Sequence, residues 1–351
     1  MYIAVDAMGG DFGPKVNVEG AVMAAKEANI SIILVGIKSQ IEAHLNRLKA
    51  KDLPITIHHA SQVIEMDDHP VTAMRKKKDS SIHIGLELVK NGEADGMISA
   101  GNSGAILALS MLILKKLKGV ERPAIATAHP HAKGGSSLLL DAGGNVDCKP
   151  YHLFQFAIMG DIFCREIMGI QNPKIGLLSN GEEESKGNEL TRRAHIFLNE
   201  SGLNYIGYVE GMDLYNGKAD VIVCDGFVGN VALKCSEGII VALKSIAQHE
   251  IKQSLRAKIG YILMKKALTN IFKKVDVEEY GGAPLLGING VVYICHGNSS
   301  PRAIKNAIIN AARSIEKRIN QQMAESLEEG KELEKMIGKS IWVQIKEKIK
   351  S

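Results

Sequence analysis

The sequence predicts an α/β protein, a three-layer α/β/α sandwich built on a mostly parallel mixed sheet. Three features predict it. Short β-rich runs alternate with helical runs of 3–4 periodicity along most of the chain. Many of these β-rich runs end in a small turn rich in Gly, Asn and Asp, the kind of junction that open α/β sheets use to bind ligands. In the middle of the chain, strands 124–128 and 137–140 are joined only by a short His/Gly-rich link, which makes them antiparallel members of that sheet.

In chain order, Tyr2–Asp6 reads as a strand and Pro14 marks a helix start, followed by Val18, Ala21, Val22 and Ala25 on one face. Ser31–Gly36 is a strand, Gln40–Lys49 a helix and Ile55–His59 a strand. A polar loop containing Pro70 and a basic segment lead to a helix, Ile82–Lys90, then to a strand, 96–98, and an apolar helix to Leu117. Beyond the antiparallel pair come a helix at 150–168, a strand at 174–178, a helix at 189–199 and strands at 205–209 and 220–224. Two long helical patterns, 230–253 and 255–275, precede the Gly281-Gly282 break, a strand at 290–295 and a last core helix at 301–323. The expected organisation is one α/β/α domain over 1–324, with a helical excursion near 230–278. A charged, helix-prone tail over 325–351 carries Trp342.

The bulk properties narrow the function classes. A chain of 351 residues buries an ample core, and a net charge of +4 is too small to imply nucleic acid. The five cysteines are scattered without a CxxC pair, which speaks against a disulfide framework or a zinc site and for a reducing cytosol. The first residues form a strand and turn rather than a signal peptide, and the longest apolar run, 105–114, is too short to cross a bilayer.

Six strand-end turns carry the chemistry. They begin at Asp6 (with Gly9 and Gly10), Ser99 (with Gly101 and Asn102), Asp141, Ser179 (with Asn180, Gly181 and Glu182), Asp225 (with Gly226 and Asn230) and Cys295 (with His296, Gly297 and Asn298). Ligands of open α/β sheets bind at strand carboxyl ends, so these turns are expected to converge on one cleft. The stretch 98–105, with Ser103 and Gly104 opening a helix, offers backbone N–H groups to an anion. GEEESKGNE places Lys186 and Asn188 just before another helix, where a solvated loop is the competing use. Gly9, Gly10 and Gly13 do not form the dinucleotide fingerprint, and GNSG lacks the Lys of a P-loop. The cysteines read as small core residues. The run Arg75, Lys76, Lys77 and Lys78 is a solvated face or a docking site for an acidic partner. The 255–275 helix combines an apolar stripe with lysines, suited to core or dimer packing first and to a membrane surface second.

The runs IAVDAMGGDFGP, HPVTAMRKKKDSS, ISAGNSGA, NVDCKP, GEEESKGNEL, VIVCDGFVGNVALK and ICHGNSS, in this order, closely resemble the bacterial phosphate acyltransferase family of phospholipid synthesis, over about 1–324. The resemblance implies transfer of a long-chain fatty acyl group from acyl carrier protein to inorganic phosphate, giving acyl phosphate. It also implies a homodimer without cofactor or metal, and a fold similar to phosphotransacetylases and isocitrate or isopropylmalate dehydrogenases. The expected setting is the cytoplasm, with peripheral attachment to the inner face of the membrane and a downstream glycerol-3-phosphate acyltransferase. Phe12 stands where many relatives have histidine, Ser103 where threonine is common and Cys295 where alanine is frequent.

On this reading Asn102, Lys186, Asn188, Asp225 and His296 are the catalytic candidates. Phosphate and substrate fall to Asp6, Gly9, Gly10, Ser99, Gly101, Ser103, Gly104, Asn180, Gly181, Glu182, Gly226, Asn230, Gly297 and Asn298, and carrier docking to Arg75, Lys76, Lys77 and Lys78. Phosphate is itself a nucleophile, so no covalent acyl-enzyme is needed. A non-catalytic carrier-protein or membrane-docking scaffold is the alternative. A dehydrogenase is a third reading, disfavoured by the missing fingerprint.

Overall fold

A computed structural model describes residues 1–274 and 281–331, with side chains between 270 and 274 left out of the description. Eleven strands form one sheet in the order β3-β2-β1-β4-β11-β10-β5-β6-β9-β7-β8. β1 (Tyr2–Asp6), β2 (Ser31–Gly36), β3 (Ile55–His59), β4 (Gly96–Ser99) and β11 (Val291–Ile294) are mutually parallel. β10 (Ala283–Leu286) runs antiparallel to β11 and to β5 (Ala124–Pro130), which therefore points the same way as β1. β6 (Ser136–Leu140) reverses direction against β5. β9 (Val221–Val223), β7 (Ile175–Leu178) and β8 (Tyr205–Val209) follow β6 in parallel.

The sheet thus consists of two parallel halves of opposite direction joined through β10 and β5. The expected α/β/α architecture and antiparallel central pair are present. β10 is absent from the sequence reading because Ala283-Pro284-Leu285-Leu286 is short, contains proline and follows a Gly-Gly break.

Helices cover both faces. In the first half, α1 (Gly13–Ala28) and α10 (Pro301–Glu316) pack together on one face. The cluster around Val18, Ala21, Ile304 and Ile308 forms that core. α3 (Pro70–Lys76), α4 (Ser81–Lys90) and α5 (Ser103–Ile113) pack over the cluster around Met97, Leu86 and Ile106, on the opposite face. The stretch from Pro70, read as a polar loop running into a basic segment, is helical in α3 because Pro70 starts it at a position where no N–H is needed.

In the second half, α6 (Pro150–Phe163), continued by a π turn at Cys164–Met168, and α7 (Glu189–Asn199) bury Phe154, Phe156 and Leu198. The predicted 301–323 helix is interrupted at Arg318, whose φ is +51°, and residues 319–331 are helical again. The core extends past Ala324: Leu327 is fully buried, and a Cβ on Gly330 would touch Phe154 and Ile158. Trp342 and the rest of the expected tail after residue 331 lie outside the described residues, as does Val275.

α8 (Gly226–Gln253) and α9 (Leu255–Lys274) form a helical hairpin. α8 starts four residues earlier than its sequence pattern suggests, because Asp225 caps it: its Oδ1 accepts the Val228 N–H at 2.9 Å. Only its base is packed, since the side chains from Gly238 onward are almost all exposed.

Candidate functional site

The carboxyl ends of β7 and β9 open into a cleft of about 430 Å³ lined by Leu178, Ser179, Asn180, Gly187, Asn188, Thr191, Cys224, Asp225 and Val228. Two helices begin in it. Asn188 caps α7 through a reciprocal pair, its Oδ1 accepting the Thr191 N–H and the Thr191 Oγ1 accepting the Asn188 N–H, both at 2.9 Å. Asp225 caps α8, so two macrodipoles direct their positive ends at one space.

The loop between β7 and α7 is closed on itself. Asn180 Oδ1 accepts the Gly187 N–H at 2.9 Å, and Arg192 Nη1 donates to the Gly187 carbonyl at 2.9 Å. Gly187 adopts a φ of +83°, which a side chain would disfavour. Gly181 is needed for close approach, because a Cβ there would stand 2.7 Å from Lys186 Cγ. Lys186 is half-buried and is held against this loop. Glu182, predicted to contact substrate, is taken up by Lys218 at 2.5 Å.

Beneath the cleft lies Asp141, fully buried at the end of β6. Its Oδ1 accepts from the N–H groups of Ile125, Gly143 and Gly144 at 3.1, 3.2 and 2.9 Å. Its Oδ2 accepts from the backbone and side-chain amides of Asn145 at 2.6 and 2.7 Å. Burial raises its pKa, and these donors oppose the rise. Asn145 passes the arrangement on, its carbonyl accepting the first N–H of α8, from Gly226, at 2.7 Å. Asn230 lies beside Gly143, whose Cβ would meet the Asn230 side chain at 3.4 Å. Burial pushes the Cys148 thiol up to about 12 and Cys224 well above its usual range, so both stay thiols and poor nucleophiles.

The remaining turns form a second group. Asp6, fully buried with its pKa raised by desolvation, accepts from Met8 N and Gly9 N at 3.0 and 3.1 Å and from Ser99 Oγ at 2.6 Å. Ser99 Oγ in turn accepts from Gly101 N at 3.0 Å. Asp11 N donates to the Gly297 carbonyl at 2.8 Å, and a Cβ on Gly10 would meet that same carbonyl.

Asn102 caps α5, accepting from Ala105 N at 3.0 Å. It donates both amide hydrogens to the carbonyls of Met66 and Asp68 at 2.9 and 3.0 Å. Its amide is thus committed to the protein. Ser103 and Gly104 open α5, with Gly104 close to Pro70, and Asn298 is exposed in the turn after β11. Lys77 is drawn inward to Asp68 and the Val63 carbonyl, which leaves Arg75 and Lys76 on α3 and Lys78 just beyond it as the exposed cations of the run.

The expectation that all six turns converge is therefore corrected. Turns after β1, β4 and β11 leave one edge of the sheet, whereas those after β6, β7 and β9 leave the opposite edge, because direction reverses between β5 and β6. The 98–105 stretch does not face the turns at Gly181 and Gly226. α8 is the element that reaches from one group to the other. From Gly226 to Glu237 it rises about 16 Å, and there Glu237 meets His296 at 3.2 Å and Lys234 at 2.8 Å. Beside it, Tyr215 hydrogen-bonds Ser236 and stands 3.3 Å from Nδ1 of the buried His129.

Of the candidate residues, Asn180, Asn188 and Asp225 line the cleft, while Gly181, Lys186, Gly226 and Asn230 stand around it. Asp6, Gly9, Gly10, Ser99, Gly101, Asn102, Gly297 and Asn298 belong to the other edge. Sequence reasoning missed Thr191, Val228 and the organising role of Asp141. The Asn-x-x-Thr spacing of the α7 cap was a legible signal for Thr191.

Residues 1–322 match the family model described as fatty acid synthesis protein. A phosphate acyltransferase from Geotalea daltonii is 58% identical over 329 residues, covering 94% of this chain and 95% of that protein. One from Geobacter sulfurreducens is 55% identical over 328 residues, covering 93% and 94%. The fold is similar to a phosphotransacetylase from Streptococcus pyogenes, with a TM-score of 0.58 and 21% identity over 90% of this chain and 94% of that one. Motifs, architecture and relatives agree, and the chain belongs to the fatty acid synthesis protein family, among phosphate acyltransferases.

Proposed function

We propose that this protein transfers a long-chain acyl group from acyl carrier protein to inorganic phosphate, by direct attack of phosphate held in the cleft at the ends of β7 and β9. The observation that carries the reading is the meeting of two capped helix N-termini at one cleft, with Lys186 on the β7–α7 loop that borders it. Helix N-termini hold an anion through N–H groups and dipoles, and an ammonium on the bordering loop is within a side chain's reach of such a site.

A phosphate oxygen attacks the thioester carbonyl carbon, the tetrahedral oxyanion collapses, and the carrier thiolate leaves and takes up a proton. The products are acyl phosphate and the free carrier thiol. Holding the nucleophile in attack geometry and stabilising the oxyanion are the tasks left to the protein. The high thiol pKa values of Cys148 and Cys224 fit a mechanism without an acyl-enzyme. A non-catalytic scaffold would leave this cleft without a use.

The hairpin supports a homodimer. Ile239, Val241, Leu243 and Ile246 on α8, with Ile259, Ile262 and Leu263 on α9, are all more than half exposed, an apolar surface that a second copy would cover. α8 also has the length and mean hydropathy to cross a membrane. However, its first turn is built into the sheet edge, and it carries Lys234, Glu237 and Lys244. We favour dimer pairing, with contact to the inner membrane surface as the second use of the hairpin. Arg75, Lys76 and Lys78 offer an acidic carrier protein a cationic face. The acyl phosphate would pass to an acyltransferase that acts on glycerol 3-phosphate, in the cytoplasm.

The test is turnover of purified protein with long-chain acyl carrier protein and phosphate. Acyl phosphate should form, and Lys186→Ala should raise the phosphate KM or lower kcat by about tenfold to a hundredfold. Thioester loss that is independent of phosphate would overturn the reaction, and unchanged kinetics in the variant would remove Lys186 from the site.

A further inference from the structure

Among the side chains that line the cleft, Asp225 is the one carboxylate, and its placement is fixed. Its Oδ1 is held by the Val228 N–H at 2.9 Å, and no hydrogen bond to its second oxygen is found among the described residues. The surroundings otherwise favour negative charge: two helix N-termini and the hydroxyl and amide groups of Ser179, Asn180 and Thr191. A carboxylate in the wall of an anion site repels a bound anion unless the anion brings a proton to it.

We infer that Asp225 makes the cleft selective for an anion that retains a proton, so that inorganic phosphate is accepted and sulfate is refused. This rests on the reading that phosphate binds in this cleft. Near neutral pH phosphate is present as its mono- and dihydrogen forms, either of which donates an O–H to the free carboxylate oxygen. Sulfate is of similar size and shape but offers only lone pairs. Within hydrogen-bond distance of Asp225 it meets like charge with no proton between them.

The hydrogen bond gained by one anion and the repulsion suffered by the other act in the same direction. A charge-assisted hydrogen bond alone accounts for a factor of about ten to a hundred in affinity. The selecting oxygen sits on a helix cap, so its position is set before the anion arrives and does not depend on a mobile loop.

The experiment uses the full chain, with radiolabelled inorganic phosphate binding and steady-state acyl phosphate formation, each challenged with sulfate or arsenate. In the parent protein, arsenate, which also keeps a proton, should compete about as well as phosphate, and sulfate should compete with an inhibition constant about a hundred times the phosphate Kd or weaker. Asp225→Asn preserves the helix cap, because asparagine is as good an N-cap as aspartate. It should weaken phosphate about tenfold and bring sulfate to within about threefold of phosphate. Asp225→Ser, which also retains a cap, should lose the same discrimination, and neither variant should lower the unfolding midpoint appreciably.

Equal competition by sulfate in the parent would overturn the inference, as would discrimination that survives in Asp225→Asn. Phosphate binding unaltered in both Lys186→Ala and Asp225→Asn would instead show that phosphate binds elsewhere, so the cleft assignment itself would fall.

Discussion

Gly229→Ala tests how the base of α8 is set. Gly229 lies in the first turn of the helix, and a Cβ there would stand 1.9 Å from the Asp141 carbonyl oxygen and 2.9 Å from Cys224 Sγ, inside the 3.0 Å that real Cβ contacts respect. Alanine is the better helix former by up to about 1 kcal/mol, so propensity alone predicts stabilisation. The clash opposes it. Asp141 cannot yield, because its carboxylate is held by five amide N–H groups from Ile125, Gly143, Gly144 and Asn145. The helix must therefore lift, which stretches the 2.7 Å bond from Gly226 N to the Asn145 carbonyl.

Overpacking costs about 1–3 kcal/mol, and losing that hydrogen bond adds about 1 kcal/mol. The expected net loss is about 1–3 kcal/mol, with a rise in phosphate KM because Asp225 and Asn230 move with the helix. The control is Gly238→Ala on the same helix, where an added Cβ meets nothing within 4 Å. That variant should gain about 0.5–1 kcal/mol. Urea unfolding and phosphate kinetics on all three proteins decide. If Gly229→Ala matches Gly238→Ala in stability and the parent in phosphate KM, the account of the α8 base is wrong.

Two further outcomes follow from the other end of α8. His129 is buried between Thr127 and Tyr215, and desolvation lowers its pKa from 6.5 to about 4, with Glu237 opposing the shift. A depressed folded pKa means that the stability from a neutral His129 is complete above pH 6.5 and is lost as pH falls towards 4, by about 3 kcal/mol. His129→Gln should be less pH-sensitive by that amount, measured by urea unfolding across the window, and parallel profiles would refute it. Ile246→Glu places charge on the exposed hairpin face, where Ile246 is 60% exposed. It should shift sedimentation from dimer to monomer. An unchanged dimer that binds anionic vesicles less well than the parent would assign the face to membrane instead.

Local chemistry made much legible in the sequence. Strand and helix alternation, the Gly187-Asn188 turn ahead of a helix, and the antiparallel β5–β6 pair all follow from periodicity and turn residues, which depend on neighbours a few positions away. The motif series carried the family for the same reason, since each motif is a contiguous strand-end turn. The position of Lys186 on the loop ahead of a helix was legible in its GEEESKGNE context.

Which turns share a space was a different kind of question. Asn102 sits in as good an anion turn as Asn188, but only the folded chain brings Met66 and Asp68 to its amide. Lys77 belongs to an evident basic run, yet Asp68 takes it inward. Above all, the unrecognised β10 and the reversal at β6 decide that the six turns leave the sheet at two edges. Strand direction and partner choice are set by contacts between segments distant in sequence, to which no local pattern responds. The sequence by itself determined most of the strands and helices and the family; the tertiary structure decided that the Lys186 and Asp225 turns form one cleft and that the 98–105 turn stands apart from it.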